Sequence, residues 1–400
     1  MTANHDRILT THTGSLPRGE PLSSLLIDQE QGEPVSKKTL DAETDKRVAH
    51  VLRKQAEVGI DVANDGEQGR VGFQTYLMQR MSGFGGVSKR PYGKEFLEFP
   101  QFTERMMQRI PKTGKVFDAP QAIDEIHYHG AALLDAEIAR LKQLASEPRS
   151  QFTGLFMNAP SPGIVACTML NAYYDSQEKY LDAIARELRV EYRRVVDAGF
   201  TLQIDAPDLA MERVLLYQDL SDAEFAKTVE MHVAALNKAL EGLPPESVRL
   251  HVCWGNWEGP HNHDVDMAVL LPALYQARVG ALGLEFANPR RQHEVAAIAN
   301  RSLPEHLSLI AGVIDSKSNF IEHPEVVAQR LEAVARAVGD PSRVMAGVDC
   351  GFGTFVGWEW VTEDVVWAKL KALHEGAALA SARLFGRRTG ARPRARAAPA

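Results

Sequence analysis

The chain has 400 residues, 52 acidic and 45 basic, for a net charge of −7 with histidine neutral, and 44% of it is apolar. That balance argues against a general nucleic-acid or anionic-membrane binder, and a chain of this size buries a core without staples. Three dispersed cysteines, Cys167, Cys253 and Cys350, exclude a disulfide framework and fit a reducing compartment.

The first residues, MTANHDRILTTHTG, are polar and lack the apolar stretch of a signal peptide, and no apolar run reaches about 18 residues. A cytoplasmic protein without a membrane span is expected. Short β-branched or apolar runs then alternate with helical patterns. In chain order the expected strands are Arg7–Thr11, Ile60–Asn64, Phe152–Met157, Thr201–Ile204, Val248–Val252, Leu282–Glu285, Leu307–Gly312 and Arg343–Gly347. Between them a 3.6-residue period marks Lys179–Ala198, Asp222–Leu240, Pro324–Val338 and Glu363–Leu384, with start signals at Ser221-Asp222, His323-Pro324 and Thr362.

Eight strands spaced by helices imply right-handed βαβ units and a closed (β/α)8 TIM barrel over residues 1–385. A doubly wound sheet is the alternative, but no Gly-x-Gly-x-x-Gly follows a strand. Residues 72–150, with the aromatic and basic stretch Tyr92–Phe102 and a helix-like Gln121–Ala145, are too long for a connection. They are expected to be a cap inserted between strands 2 and 3. The last residues, 386–400, hold five arginines and no acidic residue and are expected to be a disordered tail. Without them the body carries 40 basic against 52 acidic residues, a net charge of −12.

In such a barrel the chemistry sits at the carboxyl ends of the strands. Polar residues collect there: Thr11 to Ser15, Asn64 to Glu67, Asn158, Asp205, His251 to Asn256, Glu285, Asp315 to Lys317, and Asp349-Cys350-Gly351. His251 and Cys253 are two apart on a strand, so imidazole and thiolate share a side. With Cys350 and Glu285 at other strand ends they make an N, S, S, O set suited to Zn²⁺. Such a thiolate-rich shell favours ionising an added thiol for alkylation over activating water. His261 and His263, in a Gly/Pro loop, are rival ligands, and Cys167 reads as structural. Glu67 and Asp205 suit a substrate ammonium, while Gly14 and Ser15 can offer amides to a carboxylate. Asn256 and the tryptophans Trp254 and Trp257 are read as pocket walls, with packing an equal alternative for both tryptophans.

Together these residues resemble the cobalamin-independent methionine synthase family, in its catalytic C-terminal barrel. The likeness rests on Thr13-Gly14-Ser15-Leu16-Pro17-Arg18, Asp65-Gly66-Glu67, Gln203-Ile204-Asp205-x-Pro207, His251-x-Cys253, Glu285, Gly312-Val313-Ile314-Asp315 and Asp349-Cys350-Gly351-Phe352. It implies zinc held by His251, Cys253, Glu285 and Cys350, and a homocysteine-like thiol whose amino-acid end meets Ser15, Glu67 and Asp205. Where the family's catalytic histidine follows the Asp315 position, this chain has Lys317, which with Asp315 is the candidate proton-handling pair. The chain also has no room for the N-terminal half that helps hold folate in long members. Trp254-Gly255-Asn256-x-Glu258-Gly259-Pro260 and Asn288-Pro289-Arg290 resemble the short subgroup that includes the epoxyalkane–coenzyme M transferases, in which Lys317, Arg290 or Arg18 would meet an anionic group. The expected activity is zinc-dependent S-alkylation of a small-molecule thiol by an alkyl or methyl donor. Homocysteine methylation and epoxide opening both stay open, as do a zinc hydrolase and a non-catalytic zinc protein.

Overall fold

The computed structural model describes residues 6–109, 118–146 and 152–386. Seven parallel strands form one sheet, and after the first of them, β1 (Val62–Ala63), an antiparallel hairpin of β2 (Met81–Gly85) and β3 (Gln121–Tyr128) is inserted. The remaining strands are β4 (Gly154–Pro160), β5 (Thr201–Asp205), β6 (Val248–His251), β7 (Ala281–Glu285), β8 (Ser308–Gly312) and β9 (Val344–Gly347). They are hydrogen-bonded in the order β1, β4, β5, β6, β7, β8, β9. Thr10 bridges Ala346 of β9 and Thr11 bridges Val62 of β1, both in parallel, so residues 10–11 take the eighth position between the two edges. This is the expected (β/α)8 arrangement.

The expected strand Arg7–Thr11 is reduced to these two bridges. The Thr10 amide donates to the Asp61 carboxylate at 2.9 Å, and the Arg7 guanidinium meets the same carboxylate at 2.5 Å. Elsewhere the inner strands are buried on both faces, as a parallel sheet sheathed in helices requires. Helices Gln177–Asp197, Asp222–Ala239, Pro324–Val338 and Glu363–Leu384 lie within two residues of the expected spans. Ser221 starts the second with a capping box closed by Glu224.

The inserted region corrects one expectation. Gln121–Ala145 is not a single helix: residues 121–128 are strand and the helix is Ala131–Ala145. Ala122 and Ile126 are both buried, and a spacing of four puts two residues on one face of a strand as well as of a helix. A buried ion network fastens this region to the barrel. Arg70 and Arg80 both grip Glu137, Arg80 also meets Glu191, and Tyr76 and Tyr128 donate to Glu191. Of the Arg-rich end, residues 387–400 lie outside the described residues. Among the described residues, no helix is long and apolar enough to cross a membrane.

Candidate functional site

Two strand ends build one corner from sulphur and imidazole. His251 closes β6, Cys253 follows it, and Cys350 follows β9. One ligand atom from each lies within 4.8 Å of the others, so the three could hold a metal ion. The two sulphurs are 3.3 Å apart and the Gly255 amide donates to Cys253 Sγ at 3.2 Å. Gly255 has φ +114, and a Cβ there would collide with the Trp257 ring. Burial, aided by the charges of Arg249 and Lys317, lowers the His251 pKa to about 3, so its ring is neutral. Its Nε2 is buried without a hydrogen-bond partner. Sharing a hydrogen bond with Cys350, together with burial, pushes the Cys253 thiol up.

Glu285 stands beside this corner but outside the 4.8 Å group. One oxygen accepts the Trp254 amide at 3.1 Å and the other lies 3.7 Å from Lys317 Nζ. Burial disfavours the Lys317 ammonium, but Glu285, Asp349, Cys350 and Cys253 outweigh it and hold the pKa above the usual lysine range. Asp349, named in the sequence only as part of a strand-end motif, accepts the amides of Phe286, Ala287 and Asn288 at 2.8–3.1 Å. It thereby ties the residue before Cys350 to the segment after Glu285. Asp315 is similarly committed: its oxygens accept the Lys317 amide and the Ser318 hydroxyl at 2.9 and 2.8 Å.

A second corner is made of carboxylates. Asn64 and Asp65 fold the turn after β1 by accepting the amides of Gly66 and Glu67 at 2.8 and 3.0 Å. Glu67 is thereby held at φ +53, a left-handed conformation that costs a non-glycine residue of order 1–2 kcal/mol. Strain of this kind clusters at functional sites. Its Oε2 is buried without a partner. Asp205, at the end of β5, accepts from Asn158 at 2.8 Å and Gln203 at 2.7 Å. Burial, with Asp205 nearby, raises Glu67 to about 8; burial likewise raises Asp205 to about 6. Gly14 (φ +131) packs so tightly on Asn158 that a Cβ would overlap it, which brings Ser15 to the same rim.

A cavity of about 280 Å³ joins both corners, lined by Ser15, Glu67, Asp205, His251, Cys253, Asn256 and Cys350 among others. Asn256 donates to the Gly351 carbonyl at 2.9 Å and fixes the turn beyond Cys350. Of the two tryptophans, Trp257 lines the cavity; Trp254 is buried, donates to the Val265 carbonyl at 2.8 Å and lies under Arg291. Lys317 and Asp315 are not in the lining. The rival ligands are engaged elsewhere: His261 with Asp264 and the Trp257 carbonyl, His263 with Glu98 at 2.6 Å. Cys167 is buried against Tyr217, with Sγ–Oη 3.7 Å. The sequence reading missed Gln74 and Arg90, whose side chains enter the same cavity from the inserted region. The run Tyr92–Phe102 was the available signal for such a wall.

No family model matches the chain. It is 24% identical over 384 residues to 2-hydroxypropyl-CoM lyase of Xanthobacter autotrophicus, covering 89% of each chain. It is 25% identical over 346 residues to a methionine synthase of Thermococcus kodakarensis, covering 86% of each. Among solved structures, a B12-independent methionine synthase from Shewanella superposes with a TM-score of 0.70 at 21% identity, covering 95% of this chain and 99% of that one, which shows the shared barrel fold. The chain is thus a relative, along almost its whole length, of enzymes named methionine synthase and 2-hydroxypropyl-CoM lyase.

Proposed function

We propose that the protein is a zinc-dependent S-alkyltransferase, acting as a methionine-synthase-like methyltransferase on a homocysteine-like thiol. The observation that carries this reading is the convergence of His251, Cys253 and Cys350 on a cavity that also presents Glu67 and Asp205. Relatives named methionine synthase support a thiol substrate and a methyl donor. Two sulphurs and a neutral imidazole whose buried Nε2 has no partner fit zinc, with Glu285 beside them as a fourth donor. Zinc held there would supply charge that ionises a substrate thiol near neutral pH.

The chain's own residues do the rest. Glu67 and Asp205 receive the substrate ammonium: it provides the cation that their buried carboxylates otherwise lack, and binding favours the ionised form of both. Ser15 and the Gly14 turn face the amino-acid end. Lys317 stays protonated beside Glu285 and offsets the negative charge of the sulphur corner. Asp315 acts as a positioning residue that shapes the loop carrying Lys317. The described residues of the inserted region act as a cap that keeps water from the transferring carbon, since Arg90, Phe96 and Met107 line the cavity.

A second reading, an epoxide-opening thiol transferase, has the 2-hydroxypropyl-CoM lyase relative behind it. None of the cations assigned to its anionic group lines the cavity. Lys317 faces Glu285, Arg18 donates to the carbonyls of Gly353 and Glu67, and Arg290 is exposed outside the lining. The test is spectroscopy of the Co²⁺-substituted protein against homocysteine, coenzyme M and glutathione. Homocysteine should perturb the spectrum most. A spectrum indifferent to all three thiols sinks the S-alkyltransferase, and a response to coenzyme M alone favours the second reading.

A further inference from the structure

The cavity is polar at its two corners and apolar over much of the remaining wall. One ring group joins Phe73, Phe355 and Trp358, with centroids 5.4–5.6 Å apart; another joins Phe96 and Trp257 at 5.9 Å. Charge accounting is equally one-sided. Among the described residues, the arginine or lysine of the lining is Arg90, whose Nη2 is held at 2.5 Å by the fully buried Glu212. An anion entering would share a desolvated space with Glu67 and Asp205 and meet a cation already neutralised. Besides Glu67 Oε2 and His251 Nε2 at the two corners, two further buried atoms of the lining residues lack partners: the acceptor Oε1 of Gln74, 3% exposed, and the donor Nε of Arg90. A buried polar atom without a partner calls for one from outside the chain, and at a cavity wall a bound molecule can supply it.

We infer that the second reactant, the alkyl donor, is a neutral molecule with a broad apolar body, seated against these rings, whose polar edge donates to Gln74 and accepts from Arg90. Its role as donor rests on the S-alkyltransferase reading, whereas its chemistry rests on the cavity. In the transfer, sulphur forms a bond to the donated carbon and the bond from that carbon to its leaving group breaks. The leaving group departs with the electron pair and takes up the proton given by the thiol. A neutral donor lets this happen without a second anion beside the carboxylate corner.

Benzamide and benzoate separate the possibilities, being alike in size and different in charge. Tryptophan fluorescence of the full-length, metal-loaded protein reads their binding through Trp257, Trp358 and Trp360, which line the cavity. Benzamide should quench saturably, with benzoate at least about tenfold weaker. Gln74→Leu should weaken benzamide about fivefold and leave toluene unchanged, the size of one hydrogen bond. Phe355→Ala, checked for fold by circular dichroism, should weaken all three probes. Benzoate binding as tightly as benzamide, or no saturable benzamide response, overturns the inference. If benzoate wins while homocysteine still perturbs the Co²⁺ spectrum, this inference fails alone. If benzamide binds as expected but no thiol perturbs Co²⁺, the donor role is overturned together with the S-alkyltransferase reading.

Discussion

The two polar corners of the cavity are built from opposite strategies. In the sulphur corner the protein supplies its own countercharge: Lys317 lies 3.7 Å from Glu285, close to both cysteines. In the carboxylate corner the neighbouring cations are spent elsewhere. Arg70 is held by Glu137 and the Asn158 carbonyl, Arg18 by two carbonyls, and Glu67 Oε2 is left without a partner. One corner carries a cation of its own and the other leaves a buried carboxylate oxygen without one. In the proposed function the metal goes to the first corner and the substrate ammonium to the second.

The largest expected effect comes from breaking the first corner at its ligands. Cys350→Ala should lower zinc affinity by more than the 10–100-fold typical of losing a mere supporting partner. Plasma mass spectrometry of the purified protein would read this as loss of metal, with loss of thiol alkylation. A Cys350→Ala protein that is metal-free and fully active would refute the assignment.

Next comes the internal countercharge. Lys317→Met removes one partner of a buried ion pair and leaves Glu285 uncompensated, which costs about 3–5 kcal/mol in comparable cases. Urea unfolding should show this loss in metal-free protein, and added Zn²⁺ should recover part of it, since the ion replaces the missing positive charge. An unchanged midpoint in the metal-free protein would mean that the sulphur corner is not held by Lys317.

Why the first corner was legible in the sequence and parts of the second were not follows from the local geometry. His251, Cys253, Glu285 and Cys350 lie at or just beyond strand ends, where a period of two and the barrel's polarity say where side chains go. Glu67 was found as a residue, but its left-handed turn depends on Asn64 and Asp65 acting together, which no periodicity reports. Trp254 and Trp257 are three residues apart in an irregular loop, and only the fold shows one in the core and the other in the cavity. Gln74 and Arg90 arrive from the inserted region, whose β3 mimics helical spacing. Asp349, just beyond β9, acts through three backbone amides on the segment after β7, two strands away in the sheet, a contact that one chain position cannot announce.

Breaking the second corner should cost less stability and more selectivity. Glu67→Gln keeps size but removes the charge that awaits the ammonium. Losing one member of a buried charge pair at a binding site typically costs about 2–5 kcal/mol, so affinity for an amino-acid thiol should fall on the order of 10²-fold. Metal content should stay unchanged. Calorimetry with homocysteine would show it, and an equal loss for a thiol without an amino group would break the link to the ammonium.

The smallest effect is the pH dependence that this corner confers on the ligand-free protein. Glu67 at about 8 and Asp205 at about 6 both lie above ordinary carboxyl values, so the folded state binds their protons more tightly than the unfolded chain does. Their contribution to stability is therefore fully present below about pH 4 and is lost as pH rises through about 6 and then 8. Between pH 6 and 8 the thermal midpoint of the wild-type protein should fall by a few degrees, and Glu67→Gln should flatten that slope because the amide does not titrate. Saturating homocysteine should flatten it as well, since the bound ammonium lowers both carboxyl values towards their ordinary range. A slope that is the same with and without the amino-acid thiol would place the cation somewhere other than between Glu67 and Asp205.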